Sequence, residues 1–159
     1  MRTKPGLSRR SSARGVAAVE LAIVLPFLTL LMFGIIEFGF MFRTAARVQM
    51  AARECARAAA AGDPPATMDA RRAESTASLD AARLTATYQY RAALIGGGWG
   101  SWKTLGTSGT LNDAPRQSQV RVTLEYRYPL IMRGMFTSMA DDVAAGTKTI
   151  GAQVVMLRS

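Results

Sequence analysis

The sequence contains no histidine and a single cysteine, Cys55. Without histidine, the usual general base, the Ser-His and Cys-His nucleophile pairs and the commonest zinc ligand are all missing. The chain is therefore expected not to be an enzyme and to carry no metal or other cofactor. One cysteine cannot close a disulfide within the chain, which removes the covalent framework of small secreted domains. Acids are also scarce, with 11 Asp and Glu against 20 Lys and Arg and a net charge of +9. The excess is not spread evenly, because Arg2, Lys4, Arg9, Arg10 and Arg14 all precede the first acid, Glu20. Basic residues beside an apolar helix are held on the cytoplasmic side of a membrane. A nucleic-acid arm built on Arg9, Arg10 and Arg14 would be short and would lack neighbouring aromatics for base stacking. Neither a nucleic acid nor a small-molecule substrate is expected as a partner.

What is present follows in clear blocks. Residues 1 to 15 form a basic leader, rich in Ser, Gly and Pro, with no periodicity that could bury a face, and are expected to lack regular structure. From Val16 to Phe42 nearly every residue is apolar, and Leu21 to Ile36 carries no charge. At about 1.5 Å per residue, residues 16 to 42 reach roughly 40 Å, enough to cross a hydrocarbon core of about 30 Å. A secretory signal peptide has a shorter apolar region with a small-residue cleavage site close behind it. Here the nearest Ala-rich candidate is Ala58 to Ala61, well past Ile36.

The helix is expected to continue over residues 43 to 62, until Gly62-Asp63-Pro64-Pro65 stops it. Met41, Ala45, Val48, Ala52, Cys55 and Ala59 fall on one stripe, with Arg43, Arg47, Met50, Glu54 and Arg57 opposite. Cys55 belongs to the stripe and reads as a small buried residue. Residues 63 to 159 remain for a small domain. A charged helix is expected from Ala66 to Arg83. Period-two alternation then marks strands at residues 84 to 92, 120 to 128 and 148 to 157, and a short helix is expected over Ser138 to Gly146, capped by Thr137 or Ser138. The fold class is α+β: a long N-terminal transmembrane helix continuing into a small domain with an antiparallel sheet of about three strands.

Gly97 to Thr104 comes close to a phosphate-binding loop, but Trp102 stands where such a loop needs glycine before its lysine. The segment reads instead as a flexible connection between strands, or as a partner-contacting tip using Trp99 and Trp102.

The most informative stretch is Arg14-Gly15-Val16-Ala17-Ala18-Val19-Glu20, because Glu20 places a carboxylate inside an apolar segment. A charge in that setting costs about 2.5 to 3.5 kcal/mol even on insertion scales, so it is normally paired or functional. Glu37, about 25 Å further along the helix, is expected at the far interface, where a carboxylate is tolerated. Pro26 removes one backbone donor, and its two readings are a functional kink and an accommodated proline.

A basic leader, Gly15, four residues, Glu20 and a long apolar helix together resemble the class III signal of type IV pilin-like proteins. Gly15 to Pro26, Phe33 to Gly39 and Ala51 to Ala59 resemble the TadE-like family of tight-adherence pilus systems. The resemblance implies cleavage by a prepilin peptidase between Gly15 and Val16. It further implies a pseudopilin acting with other pilin or pseudopilin subunits and the pilus assembly platform, and a role for Glu20 in assembly. The mature chain would begin with Val16, where type IV pilins typically begin with Phe. The implied location is the bacterial inner membrane, single-pass, with the N-terminus in the cytoplasm and the domain of residues 63 to 159 outside it. The alternative is an uncleaved single-span membrane scaffold or accessory protein. Basic residues number five before the span and four just after it, so orientation rests on the resemblance rather than on charge.

Overall fold

The computed structural model describes residues 10–159, with side chains from Gly15 onward. The chain forms two compact units, one ending at Phe38 and the other running from Gly39 to Ser159. Helix α1, Arg10–Ala61, contributes to both. Of the leader, Arg2, Lys4 and Arg9 lie outside the described residues. Residues 10 to 15 are helical, against the expectation of irregular chain. Extending an existing helix adds one hydrogen bond for each residue fixed, which avoids the cost of a new nucleus.

In the first unit the apolar side chains cover the whole circumference of α1. Val19, Ile23, Phe27, Leu31 and Ile35 are all more than half exposed, as are Leu21, Leu25 and Leu28 on other faces. Among the described residues, α1 is the one helix long and apolar enough to cross a membrane.

The second unit is the small α+β domain. After α1 come α2 (Pro65–Ser75), β1 (Leu84–Arg91), β2 (Lys103–Thr104), β3 (Thr107–Ser108), β4 (Leu111–Asn112), β5 (Gln119–Pro129) and β6 (Thr147–Leu157). The main sheet is antiparallel in the order β2-β1-β5-β6, and β3 pairs with β4 in a separate ribbon. The three long strands are those the alternation predicts, and the two-residue β2 is added at one edge. Register puts Tyr88, Val122 and Val154 in one row and Ala86, Leu124 and Ala152 in the next, all on the core face. Val48, Ala51, Ala52, Cys55, Ala56 and Ala59 of α1 share that core. Small side chains let the helix lie close to the sheet, and each fully buried Val or Leu contributes about 1.5 to 3 kcal/mol.

Two expected helices are shorter than the sequence suggested. The second stops at Ser75, where Thr76 leaves the helical conformation at φ −113° and ψ 19° while its N–H and hydroxyl still donate to Arg72 O at 2.9 and 2.7 Å. Only a 3-10 turn at Ala81–Arg83 follows, where Asp80 accepts from Ala82 N at 3.0 Å. In place of the helix expected over Ser138 to Gly146 there is a 3-10 turn at Thr137–Met139 with no side-chain cap, and then a turn. Asp142 draws the chain into that turn, its side chain accepting from Ala145 N at 3.0 Å and its carbonyl from Thr147 N at 3.1 Å. Aspartate bonding to nearby amides competes with helix in both places.

The C-terminal end of α1 is closed with unusual completeness. Gly62 adopts φ +98°, Asp63 N donates to Ala58 O at 3.0 Å and Gly62 N to Ala59 O at 3.1 Å. This is the left-handed cap that glycine favours. Asn112, buried in β4, donates to Ala59 O at 2.9 Å and Asp63 O at 3.0 Å, while Arg158 reaches Asn112 O at 3.4 Å. A cation at this end also suits the helix dipole.

Candidate functional site

Gly15, Val16, Glu20 and Pro26 all fall on α1 in the first unit. Gly15 is exposed, and a Cβ added there would meet nothing within 4 Å. Lack of room therefore does not explain the glycine, whose backbone is open to approach. Val16 is 56% exposed. Glu20 is exposed and has no side-chain partner among the described residues. It lies one turn from Val16, about 6 Å along the axis and on the same face. The helix runs unbroken through Pro26, and Thr29 Oγ1 donates to Leu25 O at 2.8 Å nearby. Glu37 departs from the expectation of a wet interfacial carboxylate, being only 3% exposed and engaged by other groups. A buried carboxylate requires such partners.

In the second unit, Met41, Ala45, Val48, Ala52, Cys55 and Ala59 are buried or half-buried, while Arg43, Met50 and Arg57 opposite them are exposed. Cys55 is fully buried, with Sγ 3.4 Å from Met68 O. Burial pushes its thiol pKa up, so the group is held as an inert thiol. Tyr88 closes the same corner of the core. Its hydroxyl donates to Asp69 Oδ1 at 2.9 Å, and burial, with that bond, drives its pKa far above the ordinary value.

The Gly/Trp segment is more ordered than a flexible connection. Leu94 N donates to Gly98 O and Gly97 N to Leu94 O, both at 3.1 Å, and Gly96, Gly97 and Gly98 all take positive φ. The turn returns Trp99 and Trp102 to the outer face of the sheet. The Arg121 guanidinium lies 4.0 Å from the Trp102 ring centre, and that of Arg91 lies 4.6 Å from Trp102 and 5.5 Å from Trp99. Arg91 also donates to Gln119 at 2.8 Å, and Arg121 to Gln89. The two arginines were not picked out from the sequence, although their alternation with core residues places them on this outer face. Among the described residues, no three Cys, Asp or Glu side chains gather as a metal site would need.

Residues 15–57 match the family model described as TadE-like protein. This match bears out the resemblance read from residues 14 to 60. It begins at Gly15 and includes Glu20, Pro26 and Cys55. A comparison with curated proteins found no match, and a comparison with solved structures found none.

Proposed function

We propose that this chain is a pseudopilin-like structural subunit, processed by a prepilin peptidase between Gly15 and Val16 and acting in assembly of a tight-adherence type IV pilus. The observation that carries the reading is Glu20, a lone exposed carboxylate five residues past an exposed glycine, at the head of a helix that is apolar on every side. The family match starting at Gly15 supports it. The role is structural, with no catalytic group assigned. The span anchors the chain in the inner membrane, N-terminus inside, with residues 63 to 159 outside the cytoplasm.

Cleavage would create an amine on Val16 one helical turn from Glu20. In a low-dielectric setting that amine pairs with Glu20 of its own or a neighbouring subunit far more strongly than in water. When the pair joins two subunits, Glu20→Gln leaves processing intact but removes one partner of a buried ion pair, a loss of about 3 to 5 kcal/mol.

The deciding experiment is the intact mass of the protein extracted from membranes of cells with and without the matching peptidase. The expected result is a mature chain starting at Val16 only where the peptidase is present. A full-length mass in both would establish the uncleaved anchor instead. Pilus yield for wild type and Glu20→Gln at matched expression then tests assembly, with a loss expected for the variant.

A further inference from the structure

Strand β6 lies at an edge of the main sheet, with β5 on one side. Its hydrogen-bonding phase is fixed at both ends. Arg158 N donates to Ser118 O at 2.8 Å, and Leu130 N to Gly146 O at 3.0 Å, so even-numbered residues face β5. Odd-numbered residues turn their N–H and C=O groups outward. Two of these are occupied: Thr147 pairs with Asp142, and Thr149 N donates to Asp141 Oδ2 at 2.8 Å. Gly151, Gln153, Val155 and Leu157 come next, all exposed and without a described backbone partner. The open stretch from residue 151 to 157 holds no charge and no proline. These are the usual devices by which proteins blunt a free edge.

We propose that this edge pairs antiparallel with the same edge of a second copy of the chain, in register about Val154. That register uses all four open residues of both copies, Gly151 against Leu157 and Gln153 against Val155, for about eight hydrogen bonds at two per bonded pair. Shifting the centre to Gln153 or Val155 leaves one open residue of each copy unused. Side-chain size fits the same register. Leu157, 58% exposed, lies opposite a glycine, and Met156 lies opposite Ala152, while Val154 meets itself on the two-fold axis. Large against small on both faces, with no charge to repel, makes the edge complementary to itself. This pairing belongs to the second unit and does not depend on cleavage or on Glu20.

The test is oxidative crosslinking of the full chain, in membranes or mild detergent, in a Cys55→Ala background. Val154→Cys places two thiols in a non-hydrogen-bonded pair with Cα atoms about 4.5 Å apart, inside the range a disulfide spans. Ile95→Cys, on a fully exposed loop residue, measures random collision. The proposal expects Val154→Cys to form dimer several-fold faster than Ile95→Cys. Gln153→Lys with Val155→Lys, which sets lysines against one another, should abolish that excess. Gly151→Val is the second block. Its added Cβ finds only Leu124 O, at 4.0 Å, within its own chain, but it fills the space Leu157 of the other copy needs. Equal rates for the two cysteines would overturn the proposal, as would crosslinking that survives Gly151→Val. A monomer under oxidation would overturn it equally.

Discussion

Residues 16–38 and residues 39–61 belong to one helix yet bury their side chains by different rules. In the first stretch apolar residues are exposed all round, and in the second a stripe of Val, Ala and Cys is fully buried while Arg43 and Arg57 opposite it stay in water. Both are α-helical, the first lacking the one backbone donor that Pro26 removes. What differs is what covers the side chains: the core of the same chain buries the stripe over residues 48–59, while most apolar residues from 16 to 36 are left exposed. The core of the second unit is its own, so substitutions at the exposed positions of the first stretch are expected to leave its melting unchanged.

The largest contrast comes from Val122→Asp against Val24→Asp. The first buries an unpaired carboxylate at a fully buried site and should cost more than about 4 kcal/mol, leaving the second unit unfolded. The second substitution should leave its melting temperature unchanged. All Tyr and Trp residues lie beyond residue 39, so the Tyr and Trp bands in the near-ultraviolet circular dichroism of detergent-solubilised protein report on that unit alone. A large shift from Val24→Asp would break the separation drawn here.

Next is the closure of α1. Asn112→Ala removes two donated bonds and one accepted from Ala114 N at 3.3 Å, a loss of about 2 to 3 kcal/mol. Gly62→Ala should cost about 1 to 2 kcal/mol for its left-handed backbone, with Arg158 only 3.2 Å from the new Cβ. Both are read in denaturant titrations, and neither should alter processing after Gly15.

A pH dependence sharpens the comparison further. Tyr88 and Cys55 keep their protons in the folded state at pH values where the unfolded chain has begun to release them, because both pKa values are raised on folding. The folded state then binds more protons, so stability is complete below the ordinary Cys and Tyr values and falls as pH rises above them. Alkaline titration should lower the melting temperature of the second unit. Tyr88→Phe should flatten that slope, at a neutral-pH cost of about 1 kcal/mol for the bond to Asp69.

The smallest effect is expected at the outer face of the sheet. Trp102→Ala removes two arginine contacts worth about 0.5 to 1 kcal/mol each at exposed sites, measurable as a modest shift in denaturant midpoint.

Much of this architecture is legible in the sequence because its signals are local. Alternation over residues 84–92, 120–128 and 148–157 gives the strands, and the stripe from Met41 to Ala59 gives the buried face of the helix. Gly15 and Glu20 are visible because a carboxylate five residues into an apolar segment needs a reason. The failures share a different cause. Ala66 to Arg83 has good helix-forming composition, but the helix ends at Ser75 and only a 3-10 turn follows at Ala81–Arg83. Asp142 similarly turns a helical-looking stretch into a loop. Asn112 gave no sign of its role, since its partners lie far away in sequence, and the burial of Glu37 likewise depends on tertiary surroundings. Trp99 and Trp102 were noticed as aromatics, but the arginines that hold them come from strands that register alone brings beside them.

The closure of α1 also orders events in time. Helix turns form from neighbours within microseconds, but the cap from Asn112 spans 53 residues of chain to reach Ala59 O, and Arg158 lies 46 beyond Asn112. Contacts of such separation form after the chain entropy of the intervening loops has been lost. The last turn of the helix is thus started early by Gly62 and sealed late, once β4 and the residues after β6 have docked.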